Sequence, residues 1–283
     1  QRKMEFFYIF FSTNQLNSTT TELITNHLLL FLLFSRIFGC CLTWDGDLQF
    51  TELDECSYQE MMAYLPLNSH PDPKRVLVIG GCEGGLIMRV ANHPKVKQVE
   101  QVHFEMKVMK MARKYLPSIA AAHDAFVNGS KVTLVSTSSM FFFLTKRQQW
   151  DVIIVDSGCV MDDQAENYFK AIKKGLNPGG VVCTQAPPYS FNNDQDDQLK
   201  MFFEMVKPLF PSATYATTLM PSNTNGQAGI LLAGKLLKKG FDFAKPVTVF
   251  SNGDCNRLQL KYYSAKAHQN AFVLPPFVKK IVS

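Results

Sequence analysis

The first 67 residues are rich in Phe, Leu and Thr and show no sustained helical period. Within Trp44-Asp45-Gly46-Asp47-Leu48-Gln49-Phe50 an Asp-Gly pair separates two apolar stretches, which predicts a β-hairpin. The densest apolar run, Leu28 to Phe34, falls far short of the roughly 18 to 20 residues that cross a bilayer. It is expected to be a buried strand or helix, with no membrane contact. Tyr58, Met61, Met62 and Leu65 then recur at helical spacing and predict a short helix ended by Pro66, followed by a connector through His70, Pro71 and Pro73.

From Arg75 the pattern changes. Val76 to Ile79 is a continuous apolar run closed by Gly80-Gly81-Cys82-Glu83-Gly84-Gly85, with a helical stretch behind it. A strand buried on both faces, a glycine turn and a helix begin a doubly wound sheet. The pattern recurs as a strand through Val99 to Phe104, a helix through Lys107 to Tyr115 and an extended segment at Lys131 to Val135. The purest strand, Val152 to Val155, is closed by Asp156; another, Val181 to Cys183, is expected after a turn at Asn177-Pro178-Gly179-Gly180. Gln198 to Leu209 reads as an amphipathic helix. Ala213 to Leu219 and Gly229 to Ala233 have only a polar loop between them, so they are expected to pair antiparallel. The expected architecture is α/β: a small N-terminal β domain over 1–67, its first forty residues the least patterned, then a mostly parallel sheet over 68–283 that ends in an antiparallel hairpin.

Composition narrows the function classes. A formal charge of +5 over 283 residues, with Lys and Arg scattered, offers no phosphate-tracking stripe, so no nucleic-acid partner is expected. Seven cysteines without a C-x-x-C pair argue against a disulfide framework and a thiolate zinc site, and the six histidines show no H-x-x-x-H spacing. No metal and no resident cofactor are expected, and a reducing, cytoplasmic setting fits best.

Ligands of open α/β sheets bind at the carboxyl ends of the strands, where helix N-termini offer free N–H groups. Gly80, Gly81, Gly84 and Gly85 would let the backbone approach a nucleotide-like ligand, and the negative charge of Glu83 favours a cationic nucleoside, such as an S-adenosyl sulfonium with a free amine, over a pyrophosphate. A purely structural glycine turn is the plainer alternative. Asp156 could accept a proton from an attacking amine, or could simply cap the following turn; Asp162, Asp163 and Glu166 place further acids in the loop after it. Tyr58 reads equally as a buried phenol with a satisfied hydroxyl. Cys159 has acidic neighbours, which is the wrong setting for a reactive thiolate. His103 is a base, a ribose contact or a structural histidine.

Asp45-Gly46, Gln49, Thr51-Glu52, Asp54-Glu55, Ser57-Tyr58-Gln59-Glu60-Met61, His70-Pro71 and the glycine loop together resemble the spermidine synthases, the polyamine aminopropyltransferases. So does the tail: Gln259-Leu260-Lys261-Tyr262-Tyr263, His268 and Ala271-Phe272-Val273-Leu274-Pro275. The resemblance covers about residue 40 to the end. It implies a Rossmann-like, methyltransferase-type fold, a homodimer or a heterodimer with a related subunit, and aminopropyl transfer from decarboxylated S-adenosylmethionine to putrescine, giving spermidine and methylthioadenosine. Carried over by position, Asp156 is the proton acceptor, Glu83 replaces the aspartate that holds the donor's amine, Gln49 contacts the nucleoside, and Tyr58 lines the diamine pocket. The sequence departs from the family at His103 in place of the ribose-binding glutamate, Ser138 in place of the adenine-binding aspartate, and Cys159 in place of a second acid. It departs again at Gln185-Ala186-Pro187, which lacks the acid of a Gln-x-Glu pair, and at Asn223, in place of a diamine-contacting tyrosine. With a charged hydrogen bond worth roughly 1.5 to 3 kcal/mol, several such losses would weaken ligand binding by about three orders of magnitude. Two expectations follow: a divergent aminopropyltransferase, weak or inactive toward the usual substrates, or a non-catalytic relative (a pseudoenzyme) with a structural or regulatory partner role.

Overall fold

The computed structural model describes residues 7–11, 30–44, 47–81, 83–102, 106–145, 149–159, 161–190, 193–237 and 241–283. Strands β1 (Phe7–Phe11), β2 (Leu30–Ser35), β3 (Gly39–Trp44) and β4 (Asp47–Thr51) form an antiparallel meander in chain order. The apolar run at Leu28 to Phe34 thus supplies a strand. The expected hairpin is β3 with β4, pairing Trp44 with Asp47 and Leu42 with Phe50, while its Asp-Gly turn lies outside the described residues.

Helix α1 (Glu55–Ser69) does not stop at Pro66 as expected but continues to Ser69. Proline removes one N–H from the helix at a cost of about 3 kcal/mol. Every residue from Gln59 to Ser69 is buried, so side-chain burial on all sides, at roughly 1.5 to 3 kcal/mol for a large apolar group, outweighs that cost. This helix packs onto the main sheet along β8, β9, β10 and β11, defined below.

The chain then alternates as β5 (Arg75–Gly80), α2 (Gly85–Asn92), β6 (Gln98–Val102), α3 (Met106–Tyr115), α4 (Pro117–Asn128), β7 (Val132–Val135), α5 (Ser139–Thr145) and β8 (Trp150–Asp156). It continues as α6 (Ala165–Gly175), β9 (Leu176–Ala186), α7 (Asn193–Val206), β10 (Thr214–Leu219) and β11 (Gln227–Gly234), with short tail helices α8 (Asn252–Arg257), α9 (Ala265–Asn270) and α10 (Pro276–Val282). The sheet order is β10-β11-β9-β8-β5-β6-β7, with β5 to β9 parallel and β11 antiparallel to both β9 and β10. Chain order reverses between β5 and β8, which is the switch point where open α/β sheets hold ligands.

Side-chain parity assigns the two faces. Val76, Val78, Val152, Ile154, Val181 and Cys183 belong to the core beneath α1 and α2; Leu77, Ile79, Ile153, Val155 and Val182 join the core beneath α5, α6 and α7. Two local expectations are corrected. Asn177 to Gly180 is no turn before a strand; it is the irregular start of β9, where Gly179 and Gly180 exchange hydrogen bonds with Lys235. Glu166 is no loop residue; it lies in the first turn of α6, exposed and paired with Lys170, and Asp162 and Asp163 are exposed as well.

The tail is fastened to α1 by a buried carboxylate. Glu60 accepts hydrogen bonds from the backbone N–H groups of Lys261 (3.0 Å), Tyr262 (2.9 Å) and Tyr263 (2.7 Å). The Tyr263 hydroxyl sits between Asn68 and His268. Among the described residues no helix is long and apolar enough to cross a membrane.

Candidate active site

The same parity that divides the cores builds the site. Gly80, Asp156 and Gln185 are each two residues beyond core members Val78, Ile154 and Cys183, so all three lie on the α1 face at the carboxyl ends of β5, β8 and β9. Register brings them level, because Gly80 pairs with Asp156 and Val155 with Thr184. The approach of β5 to β8 is so close that a Cβ on Gly80, whose φ is +94°, would stand 2.1 Å from the Asp156 carbonyl oxygen. Only glycine fits both the left-handed backbone and that contact. Beyond it, Gly81 and Gly84 also have positive φ and Gly85 opens α2, so the glycine turn between strand and helix is as expected. Gln101 holds this turn from beneath, its amide donating to the carbonyls of Gly80 (2.9 Å) and Gly81 (3.0 Å), and buried His123 on α4 bonds Gln101 in turn at 3.0 Å.

Two acidic centres face this edge. At the first, the Tyr58 hydroxyl of α1 donates to Asp156 Oδ1 at 2.7 Å, and the Gln185 amide donates to the Tyr58 oxygen and, at 3.4 Å, to the same Asp156 oxygen. Burial raises the Asp156 carboxyl above the usual carboxylate range, opposed by these two hydrogen bonds. Tyr58 is pushed well above an ordinary phenol, first by burial and then by the Asp156 charge, so it remains a donor. At the second centre, Gln59 Nε2 donates to Glu83 Oε1 at 2.7 Å. Burial, then the negative charge of Asp156, raises the Glu83 carboxyl. The pair places two carboxyls at this strand edge, where a bound cation would favour both ionised forms.

Tyr58, Asp156 and Gln185 are therefore brought together, with Glu83 and the four glycines beside them. Gln49 lies exposed on β4. Ser138 is exposed before α5, where its hydroxyl accepts from the Phe141 N–H at 3.3 Å. Asn223 lies half-buried in the β10–β11 loop, which is tied to α1 because Asp54 accepts from the Ser222 N–H at 2.7 Å. His103 lies outside the described residues. Burial pushes the Cys159 thiol up to about 12 and the side chain packs on the second core; burial, not the acidic neighbours invoked from sequence, is the cause. Sequence reading missed Gln59, Arg89 and Glu55, which form one connected chain to Glu83. Their signal was present but indirect: Gln59 follows Tyr58 on α1, and Arg89 stands four residues after Gly85, on the same face of α2.

A sequence profile described as the spermine/spermidine synthase domain matches residues 55–243. The spermidine synthase of Dictyostelium discoideum is 36% identical over 255 residues, spanning 88% of this chain and 85% of that protein. The spermidine synthase of Schizosaccharomyces pombe is 36% identical over 253 residues (88% and 81%), and the spermine synthase of Saccharomyces cerevisiae 32% over 262 residues (88% and 83%). Two solved structures share the fold: the spermidine synthase of Thermotoga maritima, with a TM-score of 0.76 at 24% identity over 99% of this chain and 95% of that one, and a spermidine synthase in complex with the transition-state analogue AdoDATO, with a TM-score of 0.77 at 24% identity over 99% and 96%.

Proposed function

Because this chain belongs to the spermine/spermidine synthase family, we propose that its two-carboxylate cleft transfers an aminopropyl group from decarboxylated S-adenosylmethionine to a polyamine acceptor, putrescine first. The observation that carries this is the Tyr58–Asp156–Gln185 cluster beside Glu83, all at the switch point of the sheet. In the proposed step the lone pair of the acceptor nitrogen attacks the propyl carbon bonded to sulfur. The carbon–sulfur bond breaks with its electrons going to sulfur, which leaves as the neutral thioether methylthioadenosine. The nitrogen sheds its proton to Asp156, whose raised basicity suits the task while Tyr58 and Gln185 fix its orientation. Glu83 holds the donor's terminal ammonium, and Gly80, Gly81, Gly84 and Gly85 let the nucleoside lie against backbone. Gln49, Ser138 and Asn223 are assigned to the donor and acceptor sites, and His103, outside the described residues, takes the place of the family's ribose-binding acid in sequence alone. A homodimer, or a pairing with a related subunit, and a reducing cytoplasmic setting are part of the proposal; the free thiols of Cys40, Cys41, Cys56, Cys159, Cys183 and Cys255 fit the latter.

Turnover is proposed to be slow, because His103, Ser138 and Asn223 replace ligand-holding side chains of the family pattern. The alternative of a non-catalytic relative rests on the same substitutions; the Ser138 hydroxyl accepts from the Phe141 N–H and keeps its own proton to donate. Mass analysis of products from the purified chain given decarboxylated S-adenosylmethionine with putrescine, and separately with spermidine, decides between them. Spermidine appearing with equimolar methylthioadenosine supports the transferase and names its acceptor. No product at high protein concentration, from a chain that still binds putrescine, rejects the transferase and leaves the partner role.

A further inference from the structure

Arg89 belongs to neither acidic centre, yet it is buried, touches Glu55 directly and is separated from Glu83 only by Gln59. Its guanidinium reaches Glu55 Oε2 at 2.7 Å, Gln59 Oε1 at 2.5 Å and the Gly85 carbonyl at 3.1 Å. A guanidinium can only donate, so the Gln59 atom facing it must be the carbonyl oxygen. The amide plane then leaves Nε2 on the other side, where it donates to Glu83 Oε1 at 2.7 Å. An ionised Glu83 favours the same orientation, but a protonated Glu83 could also donate to the amide oxygen; Arg89 holds the amide one way in both states. Gly85 is part of the same device, since a Cβ there would stand 2.2 Å from Gln59 Oε1. The glycine at the start of α2 thus leaves room for α1 and α2 to close upon this one hydrogen bond.

We propose that Arg89 is a positioning residue for the amine-binding carboxylate: through Gln59 it fixes the orientation of Glu83, with Glu55 as the counter-charge that keeps the buried guanidinium in place. This rests on Glu83 as the anchor of the donor's amine. Arg89 and Glu55 also act on Glu83 by charge, in opposite senses, and Asp156 faces it from β8. Arg113 on α3, with His123 and Asp124 on α4, lines the small cavity beside Glu83, and Lys261 of the tail faces Glu55. Because the two charge effects oppose, the relay is best isolated with a substitution that keeps the charge. Arg89→Lys leaves a cation beside Glu55, yet one ammonium lacks the planar fork that serves Glu55 and Gln59 together.

The test is the titration midpoint of the Glu83 carboxyl, followed by carbon-13 NMR of glutamate-labelled full chain and assigned by its loss in Glu83→Gln. Arg89→Lys is expected to raise the midpoint by roughly half to one pH unit, because the hydrogen bond that favours the ionised form is weakened. The same change made in a Gln59→Met background is expected to add no further shift. In turnover, Arg89→Lys should raise KM for decarboxylated S-adenosylmethionine roughly tenfold and leave kcat within about threefold. A Glu83 midpoint unmoved by Arg89→Lys, or a shift of the same size in both backgrounds, overturns the proposal. The NMR midpoint needs no turnover, so an inactive enzyme would sink the proposed reaction and leave this test decisive.

Discussion

At the scale of single residues, burial raises the carboxyls of both Glu83 and Asp156, and the Asp156 charge raises Glu83 further. Sign and consequence follow from linkage. In the ligand-free protein the native state binds more protons than the unfolded chain, from the ordinary carboxylate range up to the raised values of Glu83 and Asp156, so their contribution to stability falls as pH rises through that window. A bound dication reverses the pressure by favouring the ionised pair. Putrescine binding is therefore expected to release protons and to tighten as pH rises through the same window, then level off. Calorimetry in two buffers of different ionisation enthalpy reads this directly; proton uptake, or affinity independent of pH, would contradict it. Asp156 was legible in the sequence because it closes the purest strand. Its partners Tyr58 and Gln185 lie 98 and 29 residues away, so only the resemblance named them before the sheet brought them together. Arg89 had no such help, since a buried arginine on an amphipathic helix reads locally as a solvent-facing one.

At the scale of elements, runs that bury both faces were readable, and exceptions arose where packing overrode local preference. The strands at Val76 to Ile79 and Val152 to Val155 occur as expected because continuous apolar runs suit a parallel sheet. Pro66 misled because α1 is held along its whole length by its surroundings, and helix α4, with His123 beneath the glycine turn, left no periodic signal strong enough to read. The tail matched the family pattern at Lys261 to Tyr263, and the structure supplies the physical reason: three backbone N–H groups converge on Glu60. Glu60→Ala leaves the buried Tyr263 N–H without its acceptor, while the Lys261 and Tyr262 donors can turn to water, so the cost should be roughly 1 to 3 kcal/mol. Hydrogen exchange of residues 261–263 should quicken in the variant ahead of exchange in β5 and β8. Equal quickening in all three would show that the tail is not separately held.

At the scale of the whole molecule, a four-stranded meander and a seven-stranded sheet are joined by α1, which carries Tyr58 and Gln59 into the cleft and Glu60 to the tail. One helix thereby couples the acid centres, the β10–β11 loop through Asp54 and the C-terminal segment through Glu60. The fold was largely open to sequence reading because it rests on periodicity and on the antiparallel pairing of two strands with no helix between them. The site was only partly open, since its geometry depends on register across three strands and on the approach of two helices.

The proposed reaction stands on Asp156 taking the proton of the attacking amine. Methylthioadenosine release from saturating putrescine and decarboxylated S-adenosylmethionine, compared between the unaltered chain and Asp156→Asn, tests it most directly. With Asp156 as base, release should be slow but measurable and fall roughly 10²- to 10⁴-fold in the variant, the range for losing a general base. Release that is undiminished by Asp156→Asn would contradict it.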